Sequence, residues 1–402
     1  MPPENSSPSR DAARRNPGRA GSVIILVLMT LLLTAFALTK YLDKTTIDLL
    51  ADAREVRAER LRVEAYSALE TVLAVLQEFR AVDGALHSPA EGWGAPLEFA
   101  GYAPSEGLTV GAALEDESGK IPLPHADFQT LRDLFLLLGQ KQSDAERLAD
   151  ALLVWMQTGY EPVDSFSARA TDYERGALPH DPPLRSLHSF GELASIRYVR
   201  DLLFDEQGRP NELWRRFVDS VSLYDFARPN LNGASPTTLG ALGGYDDAGV
   251  RALTDYLGGT GAYAQQGPEY FRTTQEATAL AGQTASSSRF DTQVHCLRIN
   301  VTVREGQTSF RLTAVVAPPG EAALPPATPP AAADSTASTT GQNDTDAPGN
   351  STAASTAGTP AAPAADTATG PQTTLNYPFT LLEIRENDEI TGSFSPAQPV
   401  PE

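Results

Sequence analysis

SVIILVLMTLLLTAFALT, residues 22–39, contains no charged side chain, and this run decides how the rest of the chain is organised. A helix of about 20 apolar residues crosses the hydrocarbon core of a bilayer. The basic residues before it, within residues 1–21, are all arginines, so the positive-inside rule places that segment in the cytoplasm. Everything after Lys40 then lies outside the cytoplasm, on the opposite side of the membrane. No small-x-small cleavage site follows the run, so we expect an anchor rather than a removed secretory signal.

The residues after the apolar run continue it as an amphipathic helix. Neither Pro nor Gly occurs between Tyr41 and Arg80, and apolar residues recur at helical spacing while charges occupy the other face. The two stretches together predict one helix over residues 22–80, roughly 88 Å long at a rise of about 1.5 Å per residue. The alternative is a membrane span followed by a separate coiled-coil stalk. Four positions represent the apolar stripe for membrane insertion and assembly: Leu26, Leu49, Val56 and Leu69.

Composition argues against several classes of function. The 402 residues carry 51 acidic and 31 basic side chains, a formal charge of −20 that disfavours binding to nucleic acid. The only cysteine, Cys296, excludes an internal disulfide framework and a multi-thiolate zinc site. Five histidines leave little material for a metal or triad enzyme. We therefore expect a protein that is not an enzyme.

The middle of the chain is predicted to be mostly helical. Residues 84–109 are expected to form a loop, and LEDESGKIPLP, residues 114–124, an acidic turn. Ser143 with Glu146 predicts a capping box at the start of the second helix. The predicted helices cover residues 127–139, 143–156, 189–204 and 210–218.

Residues 230–257 are predicted to form a helix–hairpin–helix unit. Ser235 is placed to cap the first helix, Pro236 to occupy its first turn, and Gly243-Gly244 to form the hairpin. In DNA-repair proteins such a hairpin binds phosphate. Here aspartates flank it and Arg251 is the only cation nearby, so we expect a packing unit rather than a DNA contact.

The C-terminal part is predicted to contain strands. Residues 293–303 and 308–317 alternate as strands joined by a Gly-containing turn, with Cys296 as a buried, reduced member of one face. Residues 318–372 are rich in Ala, Thr and Pro and carry no Lys or Arg, which predicts a disordered insert. Residues 374–388 then supply one more strand, expected to pair beside the hairpin.

Two kinds of side-chain cluster could carry chemistry. Carboxylates cluster at Glu115, Asp116 and Glu117, then at Asp246, Asp247 and Asp255. Close carboxylates could hold Ca²⁺ or act as an acid–base pair, although a solvated acidic face is the simpler interpretation in a chain of charge −20. His180 and His188 lie in a Pro-rich loop, and the chain has neither a Gly-x-Ser-x-Gly turn nor a His-Glu-x-x-His motif. A hydrolase built from the 114–117 acids and this loop stays open as an alternative.

Two sets of motifs carry a resemblance to a known family. Arg19-Ala20-Gly21-Ser22 before the apolar run resembles the prepilin-type leader of type IV pilins and pseudopilins. Four further motifs occur in the order typical of general secretion pathway protein K: DESGKIPLP, LADALLVWM, SFGELASIRYV and PNLNGASPTTLGAL. The chain thus resembles the K-type minor pseudopilin of type II secretion systems, over residues 15–317 and 376–386.

The resemblance implies how the N-terminus is processed. A prepilin peptidase would cut after Gly21, so that Ser22 becomes the N-terminal, methylated residue. Most pseudopilins carry Glu as the fifth residue of the mature chain, whereas this chain has Leu26, which is typical of the K type. Gln157 and Thr158 replace the acidic residues that the family usually has after the Ala-Leu-x-x-Trp helix, so no calcium ligand is carried over and the metal status stays unknown.

The implied fold is α+β, with a pilin-like long N-terminal helix on an antiparallel sheet and a large, mostly α-helical inserted domain. The expected order is a leader, 1–21; the transmembrane part of the helix, 22–39; its periplasmic half and the start of the head, 40–113; the inserted domain, 114–275; antiparallel strands, 276–317; the insert, 318–372; and a last strand with the tail, 373–402.

The resemblance implies assembly rather than catalysis: the protein would initiate or cap the tip of a periplasmic pseudopilus that exports folded proteins. It would be a single-pass inner-membrane protein with its C-terminal domain in the periplasm. Its partners would be the I- and J-type minor pseudopilins, the major pseudopilin, the prepilin peptidase and the inner-membrane assembly platform. The alternatives are a signal-anchored periplasmic enzyme, a minor pilin of a type IV pilus and an exported DNA-binding protein. A Leu69→Asp change is expected to disrupt assembly while the head stays folded.

Overall fold

The computed structural model describes residues 18–169, 171, 173, 181–282, 287–325 and 378–387. The chain divides into two compact units, Met1–Val63 and Glu64–Glu402. Several predicted features lie outside the described residues: the leader up to residue 17, His180, residues 326–372 of the predicted disordered insert, and the tail after residue 387.

One helix, α1, runs without a break over Gly18–Asp83, which confirms the single long helix and not the separate stalk. It ends where Gly84 adopts the left-handed conformation, with φ +82°, and its N–H donates to the carbonyl of Arg80. Val23–Asp83 is the one helix, among the residues described, that is long and apolar enough to cross a membrane.

In the second unit, one face of α1 belongs to the core. Ala65, Leu69, Val72 and Leu76 recur every third or fourth residue and are buried, as the period of an amphipathic helix requires. Hydrogen bonds fix this part of the helix at its flanks. Tyr66 Oη donates to Glu386 Oε1 at 2.7 Å, and the Glu64 carboxylate accepts from Tyr102 Oη and Ser105 Oγ at 2.8 and 2.6 Å.

The sheet contains four antiparallel strands in the order β1-β4-β5-β6. They are β1 (Thr109–Asp116), β4 (Leu297–Glu305), β5 (Thr308–Ala317) and β6 (Thr380–Glu386), and a short parallel pair is formed by β2 (Ile121–Pro122) and β3 (Val221–Ser222). The predicted hairpin is confirmed, and so is the last strand within the described part of residues 374–388. Gly306 turns between β4 and β5 with φ +58°. A long helix beside an antiparallel sheet confirms the α+β fold class.

The predicted acidic turn over residues 114–124 is wrong at its start. Leu114, Glu115 and Asp116 belong to β1, where they pair with Ile299, Arg298 and Leu297 of β4. The sequence around β1 alternates weakly, so its extended conformation depends on pairing with a strand far along the chain. The turn itself is confined to a 3₁₀ turn at Glu117–Gly119.

The short helix α2 (Pro96–Phe99) precedes β1. In the described residues between β1 and β4, the helices are α3 (Phe128–Leu137), α4 (Gln142–Met156), α5 (Val199–Leu203), α6 (Glu212–Ser220), α7 (Pro236–Gly243), α8 (Asp247–Gly258) and α9 (Thr274–Ala281). The helices predicted at 127–139, 143–156 and 210–218 are present. The helix–hairpin–helix unit is also present, with Ser235 Oγ accepting from Thr238 N and Gly244 in the left-handed conformation.

Two local predictions in this region are wrong. Residues 189–204 form a 3₁₀ helix, Phe190–Ser195, and the separate α5, because Tyr198 takes a φ of +65° between them. The Tyr198 hydroxyl donates to Asp144 Oδ1 at 2.8 Å, a tertiary contact that accompanies this break. Ser143 is not the N-cap of α4: the helix begins at Gln142, whose side-chain amide bonds Glu146 Oε1 at 2.9 Å.

The start of the disordered insert, predicted at residue 318, lies too early in the sequence. Residues 318–325 pack on the head, where Asp225 and Ala323 exchange two backbone hydrogen bonds of 2.8 and 2.9 Å. Glu321 Oε2 lies 2.8 Å from Nδ1 of the buried His295. These pairings order a segment whose composition alone indicates a linker.

The expectation that Leu69→Asp would leave the head folded is wrong. The Leu69 side chain is 4% exposed, so a carboxylate there would be buried without a partner. Leu69 is a core residue of the second unit, unlike the exposed Leu26, Leu49 and Val56.

We expect Leu69→Ala to lower the free energy of unfolding of the head by about 2–5 kcal/mol, because it removes a buried side chain and leaves a cavity. Val82→Ala is the matched control: Val82 lies on the same helix but is 86% exposed, so its truncation should change stability by about 0.5 kcal/mol or less. Thermal unfolding of the purified chain, followed by near-ultraviolet circular dichroism, measures both. Equal melting temperatures for the two variants would contradict the packing described.

Candidate functional site

The N-terminal part of α1 presents an apolar surface on all sides. Leu26 is 65% exposed, and no charged residue occurs between residues 22 and 39. The hydroxyls of Thr30 and Thr34 donate to carbonyls of the preceding helical turn, so their polar groups are satisfied within the helix. A surface of this kind is stable in lipid or against other apolar helices, and not in water.

Beyond residue 40 the helix is amphipathic, with a charged face and an apolar stripe. Charged pairs such as Lys40–Asp43 and Arg62–Glu59, with N–O distances of 4.0 and 3.8 Å, occupy the polar face. Leu49 and Val56 continue the apolar stripe on an otherwise charged segment. Exposed apolar residues in a stripe between charges are typical of a helix that packs against similar helices.

The processing residues Gly21 and Ser22 both lie within α1, which begins at Gly18. The backbone is therefore helical on both sides of the Gly21–Ser22 bond.

A buried junction joins two of the motifs singled out in the sequence, DESGK and PNLNG. The amide of Asn230 donates to Asp116 Oδ2 at 2.7 Å and to the carbonyl of His87 at 2.9 Å. Its backbone N–H donates to the carbonyl of Ser118 at 2.8 Å. Asp116 in turn accepts from the backbone N–H and the hydroxyl of Ser118. The junction therefore ties the end of β1 to the start of the helix–hairpin–helix unit.

Two glycines allow the motifs to approach so closely. A Cβ on Gly119 would overlap the carbonyl of Gly233, and a Cβ on Gly233 would overlap the Asp116 carboxylate. Both overlaps involve backbone or an already bonded group, so no side chain can move away to relieve them.

The acids of the first predicted cluster form ion pairs and hydrogen bonds. Lys120 Nζ lies 2.7 Å from Glu115 and 3.0 Å from Glu117, and Arg298 lies 2.9 Å from Glu117. Burial raises the pKa of Glu117, but the two facing cations outweigh it and hold that pKa below its ordinary value. Because two cations already neutralise these carboxylates, the cluster is poorly suited to Ca²⁺.

Asp116 behaves differently from its neighbour. Complete burial raises the pKa of Asp116 to about 6, although the hydrogen bonds from Ser118 and Asn230 act in the opposite direction. Because the folded-state pKa lies above that of the unfolded chain, this group favours folding most at low pH, and its contribution declines as the pH rises through about 6.

The second predicted acidic cluster also has local structural roles. Asp246 Oδ1 accepts from Gly249 N at 2.8 Å and caps α8. Asp255 Oδ1 accepts from the Thr260 hydroxyl at 2.7 Å, next to the end of the same helix. Asp247 lies in the first turn of α8, where a negative charge stabilises the helix. Each acid of the second cluster thus has a structural role in or beside α8.

The histidine loop and the first acidic cluster do meet in space. His188 and Glu117 line one cleft of about 280 Å³, together with Tyr224, Arg298 and Glu383. Glu117 is paired with two cations, and its lowered pKa makes it a poor general base. Tyr224 Oη donates to Glu383 Oε2 at 2.5 Å, and burial raises the pKa of Tyr224. These pairings favour a structural role over the hydrolase alternative.

Cys296 is buried and unpaired, one residue before β4. Burial raises its pKa well above the ordinary value, so the thiolate needed for disulfide exchange is scarce.

Part of the chain is similar in sequence to a known family. The family model of type II secretion system protein K matches residues 112–206, which include DESGKIPLP, LADALLVWM and SFGELASIRYV. No curated protein sequence matches the chain. A chain in the crystal structure of the GspK-GspI-GspJ complex from the enterotoxigenic Escherichia coli type 2 secretion system is similar at 14% identity, with a TM-score of 0.48. That similarity covers 67% of this chain and 95% of the other. Residues 112–206 are thus similar to the type II secretion system protein K family, by a match that covers about a quarter of the chain.

Proposed function

We propose that this protein is a minor pseudopilin that initiates or caps the tip of the periplasmic pseudopilus of a type II secretion system. The observation that carries the proposal is the helix α1 in a chain whose residues 112–206 match the protein K family. An uncharged, exposed N-terminal part in a helix that continues into a folded head suits a subunit inserted among other apolar helices.

The proposed location follows from the apolar segment and the charges before it. Residues 22–39 would span the inner membrane once, with arginines on the cytoplasmic side and the head in the periplasm. The prepilin peptidase would remove the leader after Gly21, and the assembly platform would receive the mature helix. No step of this function is catalytic.

The bulk of the head favours a terminal position in the filament. A helical domain proposed for residues 114–275 is added to the sheet, and it would obstruct a second copy stacked above it. A subunit with this insertion suits a terminal position better than a repeated one. The partners we propose are the I- and J-type minor pseudopilins below it and the major pseudopilin further down. The family match favours this role over that of a minor pilin of a type IV pilus.

We expect Val56→Asp to abolish co-purification with the partner pseudopilins while the head keeps its melting temperature. The reason is that Val56 lies on the exposed apolar stripe and outside the core. Arg54→Asp is the matched control, since it places the same carboxylate on the charged face of the same helical turn. Affinity purification of the tagged chain from detergent extracts measures both. Unchanged partner recovery with Val56→Asp would contradict the assembly role of the stripe.

The terminal position makes a second prediction, which uses Leu49→Cys. The native Cys296 is buried, so the introduced thiol is the accessible one. Under mild oxidation in secreting cells, we expect disulfides to a partner pseudopilin with a cysteine at the matching helix position, and no disulfide between two copies of this chain. Abundant self-linked dimers would show that copies stack on one another and would contradict a capping subunit.

A further inference from the structure

Three side chains with metal-binding groups meet where α1 ends. Asp83 is the last residue of the helix. His87 and Glu91 follow at intervals of four residues, in the loop after the turn at Gly84. One nitrogen of His87 and one carboxylate oxygen each of Asp83 and Glu91 lie within 4.8 Å of one another. Among the residues whose placement is described, this is a grouping of three such side chains that could share one cation.

The His87 ring is held in a single tautomer and orientation. The side chain is 8% exposed, and its Nδ1 lies 2.7 Å from the carbonyl of Thr292. A carbonyl can only accept, so Nδ1 carries the hydrogen and Nε2 keeps its lone pair. Metal-binding histidines are oriented in the same way, by a hydrogen bond from the other ring nitrogen to a carbonyl or carboxylate. The ring also stacks on Tyr270 with 5.8 Å between centroids.

Glu91 has one oxygen engaged and one without a partner. Oε2 accepts from the indole N–H of Trp93 at 2.7 Å and from the backbone N–H of His87 at 3.2 Å. Oε1 is buried and has no hydrogen-bond partner among the residues described. Leaving a buried carboxylate oxygen without a donor or cation is unfavourable, so this atom points to a ligand.

Asp83 supplies the exposed side of the cluster. Its Oδ2 lies 3.3 Å from a guanidinium nitrogen of Arg272, whose side chain is 63% exposed. An exposed pair of this kind is weak and can be displaced. Arg272 is therefore the competitor that a bound cation has to replace at Asp83.

We propose that Asp83, His87 and Glu91 form a site for a divalent transition-metal cation of the zinc class. The ligands would be His87 Nε2, Glu91 Oε1 and a carboxylate oxygen of Asp83. One imidazole and two carboxylates are a donor set that suits zinc, whereas calcium takes six to eight oxygen ligands. The cation would fasten the end of α1 to the loop that meets the Asn230 junction through the carbonyl of His87. This site does not depend on the proposed secretion role.

The test is calorimetric titration of the chelator-treated, full-length chain in detergent with Zn²⁺, and separately with Ca²⁺. We expect one Zn²⁺ site in the wild type and no comparable Ca²⁺ binding. Asp83→Asn and Glu91→Gln should each weaken Zn²⁺ affinity by at least about tenfold. Arg272→Gln should bind Zn²⁺ at least as tightly as the wild type, because the competing cation is removed.

The matched control is Asp133→Asn. Asp133 has a side chain 39% exposed and paired with Arg132, close to the 38% exposure of Asp83 and its pairing with Arg272. This variant should bind Zn²⁺ as the wild type does. Because Asp83 lies at the surface, Asp83→Asn should melt at the wild-type temperature without metal, which separates loss of the site from loss of the fold. The proposal is overturned if the wild type fails to bind Zn²⁺, if Asp83→Asn and Glu91→Gln keep its affinity, or if Ca²⁺ binds more tightly.

Discussion

The buried amide of Asn230 is the interaction on which the arrangement of the head depends. It joins three segments that are far apart in sequence: the loop after α1 through His87, the end of β1 through Asp116, and the start of the helix–hairpin–helix unit through its own backbone. Because Asn230 is fully buried, loss of its amide would leave the His87 carbonyl and Oδ2 of Asp116 without this donor, at a cost of about 1–3 kcal/mol apiece. The close approach of Gly119 and Gly233 makes the same contact possible.

This junction gives a physical reason for two of the sequence motifs to occur together. DESGK supplies the carboxylate and hydroxyl of one side, and PNLNG supplies the amide and the glycine of the other. Together the two motifs maintain the position of the helix–hairpin–helix unit relative to the sheet. The long helix α1 adds the second constraint, since one part is buried in the head while the other part exposes apolar side chains.

Most of the fold could be predicted from the sequence because its signals are local. The uninterrupted periodicity of α1, the capped α7 with Ser235 and Pro236, and the alternation of β4 and β5 are visible in single segments. The features that were missed depend on distant partners. β1 is a strand because β4 lies beside it, and the 189–204 segment breaks at Tyr198, which bonds Asp144. Leu69 could not be separated from Val56 by spacing alone, because burial depends on where the head packs.

For the candidate sites too, local sequence signals could be interpreted, whereas contacts between distant residues could not be predicted. The apolar stripe follows from hydropathy, and Leu26, Leu49 and Val56 are exposed in the structure. Their role in membrane insertion and assembly stays a prediction. The Asp83, His87 and Glu91 cluster was missed, because its spacing matches no known motif and its geometry depends on Thr292 and Trp93. The acidic runs drew attention in the sequence, yet Lys120 and Arg298 neutralise one of them in space.

The central claim, that this chain is a processed pseudopilin, is tested most directly by the N-terminal sequence and intact mass of the protein extracted from membranes. The account predicts a mature chain that begins at Ser22 with a methylated amine, in cells with an active prepilin peptidase. A chain that keeps Met1 and residues 2–21 in such cells would contradict the account and favour a signal-anchored protein of another class.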